Sequence, residues 1–338
     1  MQKYKISVIV PMYNVEEYIT RCAQSLFEQT LDNIEYIFVD DGSTDSTVIV
    51  LKNILERYPD KKNCVRIVQH DKNKGVSSAR NTGLKYAQGV YIYYCDADDY
   101  LERNMLEQLY NTAHEIDADI VWCDFYMDFK NDMRYCSAVT VENDKITLLK
   151  KYISYGWNTP CNSIVKRQIY TENNLYSDEG YNFCEDYGLM VRVMFFANSY
   201  AYVRQALYHY NRINTNSLVH TQLNKSKIKK TFHDELAINL LIVDFFKQHN
   251  LYTKLEKELS WRVLKAKRGY LTSFRNRKTY MQLCPESNKY IDSNPLCSKK
   301  DKFCQKIMIS KYWSWLLNVI DIIAEIRAHL ITKKSWIQ

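Results

Sequence analysis

The sequence predicts an α/β fold, an open and mostly parallel sheet flanked by helices over residues 1–220, followed by an α-helical C-terminal region over 221–338. Three observations carry this. Apolar runs alternate with helical patterns through the first half. The first run, "ISVIV", is a continuous β-branched stretch, as expected of a strand covered on both faces. Beyond residue 222 only helical patterns remain. With 338 residues, 46% hydrophobic and 25% charged, the chain has ample apolar material for a core.

Taken in order, "ISVIV" is the first strand. "NVEEYITRCAQSLFEQT" then sets Val15, Tyr18, Ile19, Cys22, Leu26 and Phe27 on one helical face, and Asn14 and Glu17 have capping-box spacing at its start. "IEYIFVDD" is a second strand and "STDSTVIVLKNILERY" a second helix, which Pro59 helps to end. "CVRIVQH", "SSARNTGLKYA", "VYIYYC", "RNMLEQLYNTAHE" and "DIVWCDF" continue the alternation. From about residue 128 the pattern loosens into irregular or antiparallel structure at a sheet edge, then short strands and helices to about residue 220. Two long helical patterns follow, then a linker-like "CPESNKYIDSNPLCSKKDK" and a last helix, "YWSWLLNVIDIIAEIRAHLITKK".

A net charge of +7 suits an anionic ligand or an acidic membrane surface, and is too small and too dispersed to indicate nucleic acid. The ten cysteines show no C-x-x-C pair and no zinc spacing, and the first apolar run is too short for a signal-peptide core. The expectation is a cytoplasmic protein with reduced thiols. No stretch approaches the roughly 20 apolar residues of a membrane span.

The polar residues gather where the strands end. "VYIYYCDADDYL" drives an apolar run into Asp96, Asp98 and Asp99, like charges whose conflict a hard divalent cation such as Mg²⁺ or Mn²⁺ would remove. A solvated acidic loop, or a helix N-terminus favouring acids, explains the same residues. In a parallel sheet the ends of the first, second and fourth strands share one edge, so Tyr13, Asp41 and Asp96–Asp99 become neighbours. A planar Tyr, a carboxylate able to accept from a base N–H and an acidic metal loop describe a nucleotide site, and Arg80 supplies a guanidinium for a diphosphate. The turn after the first strand has no Gly-rich fingerprint, which argues against a dinucleotide oxidoreductase, and no P-loop signature occurs. The chain length fits a phospho-acceptor receiver domain poorly.

The series "SVIVPMYNVEEYI", "VDDGSTDST", "GVSSARNTG", "YIYYCDADD" and "CED", in this order over roughly the first 215 residues, resembles glycosyltransferase family 2, inverting enzymes of the GT-A fold. The resemblance implies that Pro11–Tyr13 and Asp41 hold a nucleobase, usually uracil, with Glu17 near that pocket and Arg80 reaching towards the phosphates. It places Asp96 near the ribose or a metal-bound water and Asp98 on a divalent metal, Mg²⁺ or Mn²⁺, with Asp99 sharing either role. "CED" alone reads as a helix N-terminus. The resemblance makes Asp186 the general base, with Glu185 as its neighbour and substitute.

The implied partners are a nucleotide-sugar donor, expected as a UDP-sugar, and a glycan or lipid-linked saccharide acceptor in polysaccharide synthesis. A nucleotidyltransferase and a non-catalytic nucleotide-sugar-binding protein are the competing readings. The resemblance also sets Trp157 in an acceptor-side segment and His209, Arg212 and Ser217 in a closing loop, and makes His220 a metal ligand in some relatives. Each reads equally as structural. The last helix carries an apolar stripe flanked by Lys311, Lys333 and Lys334, which suits either packing on protein or a membrane interface at the inner face of the cell membrane.

Overall fold

The computed structural model describes residues 4–155, 158–214, 228–272, 276–310 and 319. It divides into two compact units, Met1–Asn224 and Lys225–Gln338.

In the first unit, nine described strands form one mixed sheet. The parallel half follows the alternation read from the sequence: β1 (Ile6–Met12), α1 (Ile19–Phe27), β2 (Ile34–Asp40), α2 (Thr47–Leu55), β3 (Val65–Gln69), α3 (Val76–Tyr86) and β4 (Tyr91–Tyr94). The order β3-β2-β1-β4 continues into β8 (Ser163–Lys166), β6 (Ile120–Phe129), β9 (Tyr200–Asn211) and the two-residue β5 (Tyr100–Leu101). β8 is antiparallel to both β4 and β6, while β9 runs parallel to β6. β7 (Asp132–Cys136) hangs on β6 as an antiparallel edge, as the loosened pattern after residue 128 suggested. Every residue of β1, β2 and β4 is buried, which is why these strands read as unbroken apolar runs. Ile19, Cys22, Ala23, Leu26 and Phe27 of α1 pack into the core that these strands share with α4 (Met105–Ile116).

The start of α1 departs from expectation. Its first turn begins at Ile19, and no side chain caps it. Asn14, in the left-handed region at φ 50°, accepts instead from Thr44 N at 2.8 Å, and Glu16 accepts from Ser46 N at 2.8 Å. The stretch read as a capping box is a clasp between the loops after β1 and β2. Helices α5 (Lys145–Tyr155), α6 (Arg167–Glu172) and α7 (Glu185–Phe196) complete the unit.

The second unit is helical where described: α8 (Ile228–Gln248), α9 (Tyr252–Ala266), α10 (Arg277–Gln282) and α11 (Lys299–Ile309), with short 3₁₀ turns between. The apparent linker is packed structure. Asn294 is wholly buried and donates to Trp261 O at 3.0 Å, Ile291 and Cys297 cluster with Leu264, and Ser298 caps α11 in a capping box with Asp301. Apart from Val319, the last helix lies outside the described residues. No described helix is long and apolar enough to cross a membrane.

Candidate active site

The chain winds outward from β1 through β2 to β3, then returns to set β4 on the other side of β1. The carboxyl ends of β1 and β4 therefore flank a topological switch point, the place where open α/β sheets bind ligands. Pro11 is buried in β1, two residues beyond Ile9, whose carbonyl accepts from Cys95 N at 3.0 Å. By the two-residue period its missing N–H faces the β4 side, just past the last β4 pairing at Ile9–Tyr94, so no ladder bond is lost. Tyr13 follows with 45% of its surface exposed, and Glu17 is exposed beside it.

Asp41 is buried at the end of β2, and its carboxylate is largely engaged. Oδ1 accepts from Lys74 N at 2.9 Å and lies 2.7 Å from His70 Nδ1, while Oδ2 accepts from Gly75 N at 2.8 Å. Gly42 makes this possible. Its φ is +74°, and a Cβ there would stand 2.7 Å from the Lys72 carbonyl carbon. Asp41 thus braces the loop 70–75, a task that no motif announced, because His70 and the two amides lie about thirty residues downstream.

The acidic loop after β4 divides its labour. Asp99 is buried and tied to β9, accepting from Asn211 N at 2.7 Å and from the Tyr208 hydroxyl. Burial, reinforced by the charges of Asp98 and Asp96, raises its pKa well above the usual carboxylate range. It anchors the loop. Asp98 accepts from Asn214 Nδ2 at 2.8 Å, and burial together with the Asp96 charge pushes it up to about 6. Asp96 points the other way and accepts from Arg80 Nη2 at 2.9 Å.

Arg80 is where the structure departs most from the sequence expectation. Its side chain is 2% exposed, and its guanidinium is occupied by carboxylates rather than held open for a diphosphate. Nη2 serves Asp96, Nη1 donates to Asp186, and Nη1 also lies 3.5 Å from Glu185 Oε1. α3 carries Arg80 close against β1, because Gly83 one turn later admits the Ile9 side chain where a Cβ would come within 2.2 Å of it. The next residue, Asn81, donates to Ser177 O and Glu179 Oε1, each at 3.0 Å, and ties in the loop ahead of α7. Glu185 and Asp186 open α7, as the acids of "CED" suggested. Burial raises both, and the neighbouring carboxylates add to it against the opposing pull of Arg80, so Asp186 is pushed up to about 8. One guanidinium faces three carboxylates, and the site carries excess negative charge.

His209 and Arg212 are engaged with other partners. His209 sits on β9, stacked on Tyr100 with centroids 4.1 Å apart and 2.9 Å from Glu102 Oε1. Arg212 donates to the Tyr210 hydroxyl at 3.4 Å. Trp157, Ser217 and His220 lie outside the described residues. The partners of the acidic loop that sequence reasoning missed, Tyr208, Asn211 and Asn214, carry no motif and are brought in only by the pairing of β5 with β9.

Among the described residues no group of three or more His, Cys, Asp or Glu side chains is arranged to hold a metal alone. The donor set nevertheless fits Mg²⁺ or Mn²⁺. Such ions are commonly held by one or two carboxylates plus substrate phosphates, and Asp98, with Asp96 two residues before it on the same loop, supplies carboxylates of that kind.

The glycosyl transferase family 2 model matches residues 7–173. The chain is 35% identical to the uncharacterized glycosyltransferase EpsJ of Bacillus subtilis (strain 168) over 63% of this chain, and spans 62% of that protein. It is 30% identical to the putative glycosyltransferase EpsH of the same organism over 77% of this chain and 74% of EpsH. Its fold is similar to that of S. aureus TarS 1-349 in complex with UDP-GlcNAc, at TM-score 0.60 and 21% identity over 90% of both chains. It is also similar to the mannosyltransferase PcManGT from Pyrobaculum calidifontis in complex with GDP-Man and Mn²⁺, at TM-score 0.51 and 17% identity over 95% and 89% of the two chains.

Proposed function

Because the chain belongs to glycosyltransferase family 2 and has the GT-A fold, we propose that it is an inverting, metal-dependent transferase. It moves a sugar from a UDP-sugar donor to a hydroxyl of a glycan or lipid-linked saccharide in surface-polysaccharide synthesis. The observation that carries this reading is the bridge at the switch point: Arg80 joins Asp96, on the strand-end loop, to Asp186, at the start of α7. A donor-side acid and a candidate base thereby share one guanidinium. The TarS complex with UDP-GlcNAc supports the choice of UDP, and the PcManGT complex with Mn²⁺ supports the metal.

In this reading the exposed Tyr13 stacks on the uracil, Pro11 floors that end of the pocket, and Glu17 stands at its rim. Asp41 has spent about three of its roughly four acceptor positions on the loop 70–75. It shapes the base pocket chiefly by holding that loop and keeps about one position for a base N–H. Asp98 would hold the divalent ion, and Asp96 the ribose or a water on that ion. The ion, when bound, neutralises charge on the departing diphosphate. Asp186 takes the acceptor hydroxyl proton as the oxygen forms its bond to the anomeric carbon and the nucleoside diphosphate leaves from the opposite face. A base pushed up to about 8 is poised to hold that proton near neutral pH. The location is the cytoplasm, at the inner face of the cell membrane when the acceptor is lipid-linked.

The test is a panel of UDP-sugars incubated with the chain and Mn²⁺, with release of UDP as the readout. Turnover of at least one donor, abolished by EDTA, is expected. Absence of turnover across the panel and across GDP-linked donors would overturn the reading.

A further inference from the structure

We propose that Arg80 is a positioning residue that couples the donor side of the cleft to the base, so that occupancy of Asp96 is felt at Asp186. This rests on the transferase reading above and goes beyond it, since the family resemblance gives Arg80 only a reach towards phosphates.

The geometry is specific to a guanidinium. Nη1 and Nη2 are fixed in one plane, and here they serve acids from two different elements, Asp186 of α7 and Asp96 after β4. Neither acid touches the other through a described hydrogen bond. Arg80 is their shared partner. The residue has little freedom to leave this post, because it is 2% exposed, its helix is seated on Ile9 through Gly83, and Asn81 beside it holds Ser177 and Glu179. Its Nε is buried and has no hydrogen-bond partner, so the guanidinium retains a donor that is not committed to the bridge.

The charge count gives the coupling its direction. A single cation shared among Asp96, Asp186 and Glu185 cannot satisfy all three. Any group that takes over Asp96, a ribose hydroxyl or a cation-bound water, leaves Arg80 to Asp186 and Glu185. The base is then held by a fuller share of the guanidinium once the donor is in place. Donor binding is thereby felt at Asp186 as a firmer hold that keeps the carboxylate ionised and fixed in place.

The experiment follows amide hydrogen exchange in the first turns of α7, residues 185–190, with and without UDP and Mn²⁺, alongside UDP affinity by calorimetry. In the wild-type chain UDP with Mn²⁺ slows exchange there several-fold. Arg80→Lys keeps the charge and loses the fork, so UDP affinity stays within about threefold while the α7 response disappears. A second variant, Asp96→Asn, weakens the competitor for Arg80 and shifts α7 towards the slowed pattern before any nucleotide is added. A loss of about tenfold or more in UDP affinity for Arg80→Lys, the worth of a charge-assisted hydrogen bond to phosphate, would overturn the proposal. So would an α7 response equal to that of the wild type. A wild-type chain that binds neither UDP nor GDP in Mn²⁺ overturns the transferase reading itself, and is told apart from the other two outcomes by the calorimetry.

Discussion

Among the described residues, each unit holds a cation that is almost completely buried, Arg80 and Lys267, and the two are handled in opposite ways. Arg80, in the sheet unit, faces three carboxylates, and Asp186 and Asp96 hold its charge in place despite burial. Lys267, in the helical unit, is 0% exposed and makes no ion pair with a carboxylate among the described residues. It donates to Leu283 O at 2.9 Å and Asn288 Oδ1 at 3.0 Å, and lies 4.0 Å from the Tyr280 ring centroid. Burial lowers it to about 8. The neutral partners of Lys267 satisfy hydrogen bonds without excess charge, which makes it a packing device. The surplus of acids around Arg80 costs stability, and a divalent cation held at the acidic loop would offset that cost. The two cations are equally buried, and only the one at the proposed site is surrounded by more acids than it can neutralise.

The comparison can be broken at several points, and the largest effect falls on the acidic loop. Asp98→Asn removes the carboxylate assigned to the metal and should nearly abolish Mn²⁺-dependent release of UDP while leaving the circular dichroism of the fold intact. Full turnover in excess EDTA would contradict that role. Next comes the base. Asp186→Asn should lower kcat by about 10²–10⁴-fold with little change in UDP affinity. The wild-type profile of kcat/KM should rise with pH through about 8, because the carboxylate form is the active one and burial has raised its pKa. Asp186→Asn should lose that limb. If Glu185→Gln is the more damaging change, the base is one residue off.

In the helical unit the pKa shift runs downward instead. A lysine whose folded pKa is depressed from 10.5 to about 8 contributes stability that is present above the unfolded value and lost as pH falls through 8. Between pH 8 and 10.5 the wild type should therefore gain about 3 kcal/mol relative to Lys267→Met in urea unfolding, with transferase activity unchanged in both. Parallel curves for the two would remove Lys267 from the comparison. The smallest effect is at Asp41. Asp41→Asn sets an amide donor against Lys74 N or Gly75 N and should cost about 1–3 kcal/mol, with weaker UDP binding. Unchanged UDP affinity would separate the loop brace from the base pocket.

Much of this was legible because it is local or periodic. β1, β2 and β4 announce themselves as buried runs, and the acids at their ends follow from strand direction alone. What escaped was set by distant pairing. Asp99 reads as a third site acid, yet Tyr208 and Asn211, more than a hundred residues on, make it the anchor of the loop. "NVEEY" has helical spacing, but Asn14 and Glu16 are claimed by the loop after β2 before the helix begins. The polar stretch after Cys284 looks like a linker by composition, while the bond from Asn294 to the Trp261 carbonyl, inside the helical packing, makes it structure. The motif singles out Arg80 and assigns it to phosphates, whereas its guanidinium is taken up by Asp96 and Asp186. Its shared pairing was not readable, because Asp186 reaches it only through the fold.

The measurement closest to the central claim is calorimetric titration of UDP into the wild type and into Asp98→Asn, each with Mn²⁺ and with EDTA. The account predicts that wild-type affinity falls about tenfold or more when Mn²⁺ is withdrawn, and that Asp98→Asn binds UDP at that weaker level whether or not the metal is present. Equal affinity in all four titrations would contradict a metal-assisted donor site at the Asp96–Asp98 loop.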